Sequence, residues 1–174
     1  MAIYLRELTR SDIPAINKWR QDKSLVSFLG SPFRYISLET DENWFESYMR
    51  NRKTQVRCAV VHKKSNKVIG VVYLTNIDAV SRTAFFGIMI GEKKYKNKGI
   101  GKKTTELMLD HAFNDLNLNR VELVTLENNN RAISVFKKCG FVEEGLLRES
   151  IYKNGKYHNQ VCMSILKREY LKRA

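Results

Sequence analysis

The stretch Lys96-Asn97-Lys98-Gly99-Ile100-Gly101 decides how this chain is read. It lies between an apolar run, Ala84 to Ile90, and a helical pattern that begins near Gly101. A strand that ends in a glycine-containing loop and opens a helix is an anion-binding arrangement. The first N–H groups of a helix have no partners within it, and the helix dipole favours negative charge there. Glycine lets a bulky phosphate approach the backbone. Lys93, Lys94, Lys96, Lys98, Lys102 and Lys103 crowd the loop, which suits a ligand with several phosphates. The mononucleotide pattern G-x-x-x-x-G-K-S/T fails, because Lys96 replaces its first glycine and Lys103 its Ser or Thr. The dinucleotide pattern G-x-G-x-x-G fails at Thr104. Alone, a basic glycine turn is more often a solvated loop than a ligand site.

A second motif changes the balance. The β-rich run Val121-Glu122-Leu123-Val124-Thr125-Leu126 is followed by Asn128-Asn129-Asn130-Arg131-Ala132-Ile133-Ser134-Val135-Phe136-Lys137-Lys138-Cys139-Gly140-Phe141. This segment resembles the N-x-x-S/A-x-x-x-Y/F-x-K-x-G-F stretch of the GNAT N-acetyltransferase superfamily. The loop at Lys96 is similar to the same superfamily's pyrophosphate loop, with lysine in place of its usual Gln or Arg. The two motifs stand at the expected separation.

Length and composition agree with that reading. A chain of 174 residues, 43% hydrophobic, reads as one domain over residues 1–174 with a single sizeable core. No apolar run approaches the length of a membrane span. The start, Met-Ala-Ile-Tyr-Leu-Arg-Glu, has no signal-peptide pattern, so a cytoplasmic location is expected. Cys58, Cys139 and Cys162 are widely spaced in apolar contexts and read as reduced, packed thiols. A catalytic role for Cys139 is the less favoured alternative. His62, His111 and His158 are too scattered for a zinc site, and no metal is expected. The net charge of +13 suits an anionic partner: coenzyme phosphates, nucleic acid, a nucleotide-linked substrate or the ribosome surface. The aromatic and basic signatures of RNA-binding modules are absent, which weighs against nucleic acid.

Periodicity predicts the elements in order. Ile3 to Leu8 alternates as a strand. A helix capped by Thr9 or Ser11 runs to about Asp22, with Pro14 in its first turn. Residues 24–36 read as irregular. Thr40 caps a second helix carrying Trp44, Phe45, Tyr48 and Met49. Val56 to His62 and Val68 to Asn76 are strands about the turn Ser65-Asn66-Lys67, and Ala84–Gly91 is a third after a loop at 77–83. Met108, Leu109, Ala112, Phe113 and Leu116 stripe the helix after the glycine loop. Val121–Leu126 reads as a buried central strand, and Asn130–Cys139 as a short helix ended by Gly140. Strands over about 142–152 and 157–166 flank the hairpin turn Asn154-Gly155, and the tail from Lys167 to Ala174 reads as frayed. The order is β-α-α-β-β-β-α-β-α-β-β. The class is mixed α/β, and the resemblance implies the GNAT fold: a central mixed twisted sheet with helices on both faces.

The resemblance further implies a splay between the strands Ala84–Gly91 and Val121–Leu126 that holds acetyl-CoA as cosubstrate. The backbone of Lys96, Asn97, Lys98, Gly99, Ile100, Gly101 and Lys102 would take its pyrophosphate. Met89, Ile90 and Gly91 would pair with the pantetheine through open edge groups, with an N–H near Met89 polarising the thioester carbonyl. Asn129 would bind coenzyme and fix its loop, and Phe136 and Lys138 would line the coenzyme's other side. A turn or cap role is the plain alternative for Asn129. The expected activity is direct acetyl transfer to a primary amine: an amino-sugar nucleotide, a protein N-terminus or a small amine. A non-catalytic CoA- or nucleic-acid-binding module is the alternative, and a homodimer is kept open as an assembly.

The catalytic residues depart from the family pattern. Phe85 stands where many relatives carry glutamate, Ala132 where many carry serine, and Phe136 where many carry a tyrosine that protonates the thiolate. Glu127, at the end of the second splayed strand, remains as the candidate base, with a solvated loop carboxylate as the alternative. Tyr73, Tyr152 and Tyr157 are candidate acids or acceptor contacts. Within the superfamily the chain looks most like ribosomal-protein alanine, spermidine and amino-sugar-nucleotide acetyltransferases. An α-amino group near pKa 8 is about one-tenth neutral at pH 7, an alkylamine only about one molecule in two thousand. A polyamine acceptor therefore needs an acidic pocket. The segment Ser24–Ser37 has Arg34 and no carboxylate, which favours an anionic acceptor or a peptide N-terminus.

Overall fold

The computed structural model describes residues 2–173, so Met1 and Ala174, the ends of the expected domain and tail, lie outside the described residues. Seven strands form one sheet: β1 (Ile3–Glu7), β2 (Val56–His62), β3 (Lys67–Asp78), β4 (Thr83–Ile90), β5 (Arg120–Leu126), β6 (Val142–Lys153) and β7 (Lys156–Leu166). Their spatial order is β1-β2-β3-β4-β5-β7-β6. Every pairing is antiparallel except β4 with β5. The helices are α1 (Ile13–Arg20), α2 (Lys23–Val26), α3 (Leu38–Arg50), α4 (Ile100–Asp110), α5 (Asn130–Cys139) and α6 (Lys167–Leu171).

The period of two along the strands sorts their side chains to the two faces. Ala59, Val61, Val71 and Met89 pack with Ile13, Ile16 and Trp19 of α1 and with Phe45 and Tyr48 of α3. Val60, Val72, Leu74 and Phe86 point the other way, against Met108, Leu109 and Phe113 of the α4 segment and Phe136 of α5. Burial on both faces explains why these strands read as nearly continuous apolar runs.

The departures from expectation lie at element ends. The helix expected to start at Thr40 starts at Leu38. Ser37 is extended and its hydroxyl accepts the Thr40 N–H at 3.1 Å, so Thr40 is the recipient of the cap. The segment expected to be irregular opens with α2, whose cap Asp22 accepts from the N–H groups of Ser24 and Leu25. The tail forms α6, held by the Tyr170 ring 5.1 Å from Phe113 and by its hydroxyl bond to Asp110 at 3.0 Å.

The feature that positions a site is the β4–β5 pair. It closes over only three residues, Thr83–Phe85 against Arg120–Glu122. Beyond these, β4 follows β3 to Ile90 while β5 follows β7 to Leu126. Each arm is held by its outer neighbour, and the inner edges part.

Candidate active site

The inner edge of β4 offers backbone groups to the gap, and the ladder says which. Gly91 donates its N–H to the Ile69 carbonyl at 3.0 Å. Antiparallel pairs alternate between bonded and non-bonded, so Met89 opposite Val71 is also bonded to β3, and Ile88 and Ile90 turn their N–H and C=O groups to the gap. This corrects the backbone roles expected for Met89 and Gly91. Met89 is buried under α1, and Gly91 is covered by the Trp19 ring. Of the three expected residues, Ile90 has its backbone groups free, joined by Ile88.

The glycine loop ends at Gly99, in the left-handed region with φ 74°. Gly99 is the N-cap of α4 and has no side chain to cap with, whereas Asp22, Ser37 and Asn129 cap α2, α3 and α5 with theirs. The Lys103 N–H is the first to close a helical turn, onto the Gly99 carbonyl at 3.0 Å. The N–H groups of Ile100, Gly101 and Lys102 therefore have no partners within the helix. A Cβ at Gly99 or Gly101 would meet nothing within 4 Å, so protein packing does not require glycine at 101. The room and the open donors fit an anionic group. Buried Ile100 and Tyr95 anchor the loop, while Lys96 is half-buried and Asn97 and Lys98 are exposed. Lys93 pairs with Asp22 and Lys102 with Glu106.

On the other arm the expected residues divide. Asn129 caps α5, its Oδ1 accepting the Ala132 N–H at 3.2 Å, and its Nδ2 donates to the Phe28 carbonyl at 3.2 Å. The plain capping role is thus present, with a tie to the segment after α2. Phe136 is 7% exposed, and its ring meets Phe86 and Phe141 in the core. That packing, rather than an open wall of the gap, is its surrounding. Lys138 is exposed, with its carbonyl accepting from Arg173 at 2.8 Å. Cys139 is buried, which pushes its thiol up to about 11 and leaves it protonated at neutral pH.

Glu127 follows β5 and is exposed. Its N–H donates to the Asn159 carbonyl at 3.1 Å, and its carboxylate accepts from the Asn159 side chain at 2.9 Å. Asn159 also lines an open hollow of about 880 Å³ with Leu146, Leu147, Arg148, Glu149 and Ser150. Solvent reaches Glu127, yet one of its oxygens has a fixed orientation.

Two features escaped sequence reasoning. Lys153, at the end of β6, is 6% exposed and has no carboxylate partner among the described residues. Its ammonium donates to the carbonyls of Val26, Leu29 and Ser31 at 2.7, 2.5 and 2.8 Å. Burial lowers its pKa. With Asn129 on Phe28, it ties the segment after α2 to the C-terminal half of the fold. A lysine before an Asn-Gly turn gives no sign of this, because its partners are backbone carbonyls far away in sequence.

The second feature is a row across the sheet. Arg57 stands opposite Tyr73, and Tyr73 opposite Gly87 of β4. The Arg57 guanidinium lies 4.8 Å from the Trp44 ring and 5.1 Å from the Tyr73 ring. Its side chain donates to Gln55 at 2.9 Å and makes no ion pair among the described residues. Burial lowers its pKa, and nearby Arg20 lowers it further. Arg20 is paired to fully buried Asp41, which also accepts from Asn17. Among the described residues no helix is long and apolar enough to cross a membrane.

Known proteins place this geometry. The acetyltransferase (GNAT) domain model matches residues 2–142. The chain is 31% identical over 171 residues to spermidine N(1)-acetyltransferase of Vibrio cholerae, covering 98% of this chain and 96% of that one. It is 38% identical over 101 residues to a putative ribosomal N-acetyltransferase of Bacillus subtilis, covering 58% and 55% of the two chains. The crystal structure of the Vibrio cholerae spermidine N-acetyltransferase in complex with CoA and spermine superposes with a TM-score of 0.90 at 29% identity, covering 97% of this chain and 98% of that one. With its splayed β4–β5 pair and uncapped glycine loop, the chain belongs to the acetyltransferase (GNAT) family and is an acetyl-CoA-dependent N-acetyltransferase.

Proposed function

We propose that the chain moves an acetyl group from acetyl-CoA directly to a primary amine that also bears an anionic group, such as an amino-sugar nucleotide. The observation that carries the anionic part is Arg57. This guanidinium has no carboxylate partner among the described residues and lies over the Tyr73 ring, which itself sits over Gly87 of the splayed strand. Arg34 lies in a segment without carboxylates. A polycationic acceptor would approach these groups at a Coulombic cost.

The transfer follows from the arms. The open N–H groups at 100–102 and the loop lysines bind the pyrophosphate. The pantetheine runs along the inner edge of β4, and the Ile88 or Ile90 N–H polarises the thioester carbonyl. Glu127 takes a proton from the amine, directly or through water. The free cysteines suit the reducing cytoplasm, where we place the reaction. For assembly we propose a homodimer through the edge strand β6, which exposes Val142, Leu146 and Leu147.

A second reading, a polyamine acceptor, has its own support in the spermidine acetyltransferase relatives and in Glu39 and Glu42 near the start of α3, which make no ion pair among the described residues. Thiol release from acetyl-CoA across a panel decides. An amino-sugar nucleotide should give a higher kcat/KM than spermidine or an alanine-initiated peptide. The highest value with spermidine would overturn the anionic reading and leave the acetyltransferase intact.

A further inference from the structure

Phe136 carries no hydroxyl and its ring packs in the core, so it offers the departing sulfur no donor. A different hydroxyl lies over the β4 arm, beside the gap. Tyr152 and Tyr157 are poor candidates: they are 55% and 63% exposed on the hairpin, with their rings edge to face at 5.2 Å. Tyr73 is half-buried on the α1–α3 face of β3. A Cβ placed on Gly87 would fall inside the Tyr73 ring, 2.5 Å from its hydroxyl oxygen. The phenol therefore lies over β4 where glycine leaves room, one residue before Ile88, whose N–H faces the gap. The hydroxyl makes no hydrogen bond with the described residues, so it is free for a ligand.

We propose that the Tyr73 hydroxyl donates a hydrogen bond to the coenzyme sulfur as the thioester breaks. The amine nitrogen forms the C–N bond to the acetyl carbon, and the C–S electron pair leaves on sulfur. The ammonium proton passes to Glu127 or water, and solvent later protonates the thiolate. Tyr73 keeps its proton throughout. Burial holds its pKa above the usual phenol range, despite the opposing effect of Arg57 and Arg20, so it acts as a hydrogen-bond donor and not as an acid. Arg57, stacked on the ring, fixes the phenol in place.

This inference rests on acetyl transfer in the β4–β5 gap, and two measurements separate its failure from failure of that reading. Tyr73→Phe keeps the ring over Gly87 and removes only the hydroxyl. With the best acceptor of the amine panel, its kcat should fall about tenfold to a hundredfold, the worth of one hydrogen bond to a charged group. The Kd for acetyl-CoA should stay within about twofold of the parent, whose binding checks the coenzyme site. An unchanged kcat in Tyr73→Phe overturns the proposal while leaving the acetyltransferase standing. The second readout needs no acceptor: the pKa of the bound CoA thiol, followed by the ultraviolet absorbance of the thiolate. A donor aimed at sulfur stabilises the thiolate, so the thiol pKa should be higher in Tyr73→Phe by about half a unit or more. Equal thiol pKa values in parent and variant overturn the proposal.

Discussion

The two arms of the gap are built alike and end differently. On each, a strand leads into a helix: β4 into α4 through the longer glycine loop, β5 into α5 through a short turn. At α4 the cap is Gly99, which leaves the first N–H groups open, and Gly101 beside it has empty space where a side chain would go. At α5 the cap is Asn129, whose side chain closes the turn internally and then holds Phe28. Both starts match family motifs for coenzyme binding. The first leaves its donors without partners in the helix, whereas the second is complete within the protein. A helix start thus reads as a ligand site when its donors are left over, and as scaffold when a side chain consumes them.

The sharpest way to break this contrast is to fill the open start. Gly99→Val places a β-branched residue at φ 74° and costs about 1–2 kcal/mol in backbone strain alone. Gly101→Ala separates strain from ligand contact. It lies inside α4 with nothing within 4 Å of the new methyl, so the folded protein should melt no lower and gain up to about 1 kcal/mol from helix propensity. CoA affinity measured by calorimetry should nevertheless fall, by about a hundredfold for Gly99→Val and about tenfold for Gly101→Ala. Unchanged affinity in both would return the loop to ordinary surface.

Next in size is Glu127→Gln, which tests whether the second arm carries chemistry as well as scaffold. The amide keeps the shape and can still meet Asn159, but it cannot take a proton. Turnover at neutral pH should fall roughly a hundredfold, the usual worth of a general base. The deficit should shrink as pH rises toward the acceptor amine's own pKa, where the amine loses its proton unaided. A pH-independent loss would assign Glu127 to acceptor positioning, and no loss would leave it a solvated carboxylate.

Lys153→Met sharpens the same arm. It removes the ammonium that holds three carbonyls, of which that of Val26 is buried and those of Leu29 and Ser31 are partly open to water. The expected loss is about 2–4 kcal/mol of stability, seen as a lower denaturation midpoint. Because these carbonyls belong to the end of α2 and the segment after it, the KM for the acceptor should rise more than the Kd for acetyl-CoA. Equal effects on both would show that the clamp serves only general stability.

What the sequence makes legible follows the same division. The glycine loop is readable because a left-handed residue and an uncapped helix start are local properties of a few neighbouring positions. The splay follows from the family resemblance at the two motifs. Which groups face the gap is not legible. Whether Met89 or Ile90 points inward depends on the parity of the β3–β4 ladder, set by a partner strand and a single bond from Gly91 to Ile69. Ser37 and Thr40 are both good caps, and the choice falls to the residue that the chain holds extended. The position of Tyr73 over Gly87 and the grip of Lys153 on α2 are tertiary facts between distant segments. No spacing in the chain encodes them. Phe136 keeps its motif position, but its ring lies in the aromatic core, because Phe86 and Phe141 surround it.

The smallest expected effect returns to the closed start. Asn129→Ala removes an oxygen that accepts the Ala132 N–H and an amide that donates to Phe28. If the residue is a cap, the variant should lose about 1 kcal/mol of stability, the ordinary cost of an N-cap deletion. Asn129→Asp restores the acceptor and places a carboxylate at the helix start, where the dipole favours it, so it should recover most of that loss. It should not recover the tie to Phe28, because a carboxylate cannot donate. The acceptor KM should therefore stay raised in both variants, while CoA affinity changes by less than about threefold, far below the effect at Gly99. A fall in CoA affinity as large as that of Gly99→Val, with no change in stability, would mean that Asn129 contacts the coenzyme after all. The two helix starts would then be two halves of one binding site and not a ligand site facing a scaffold.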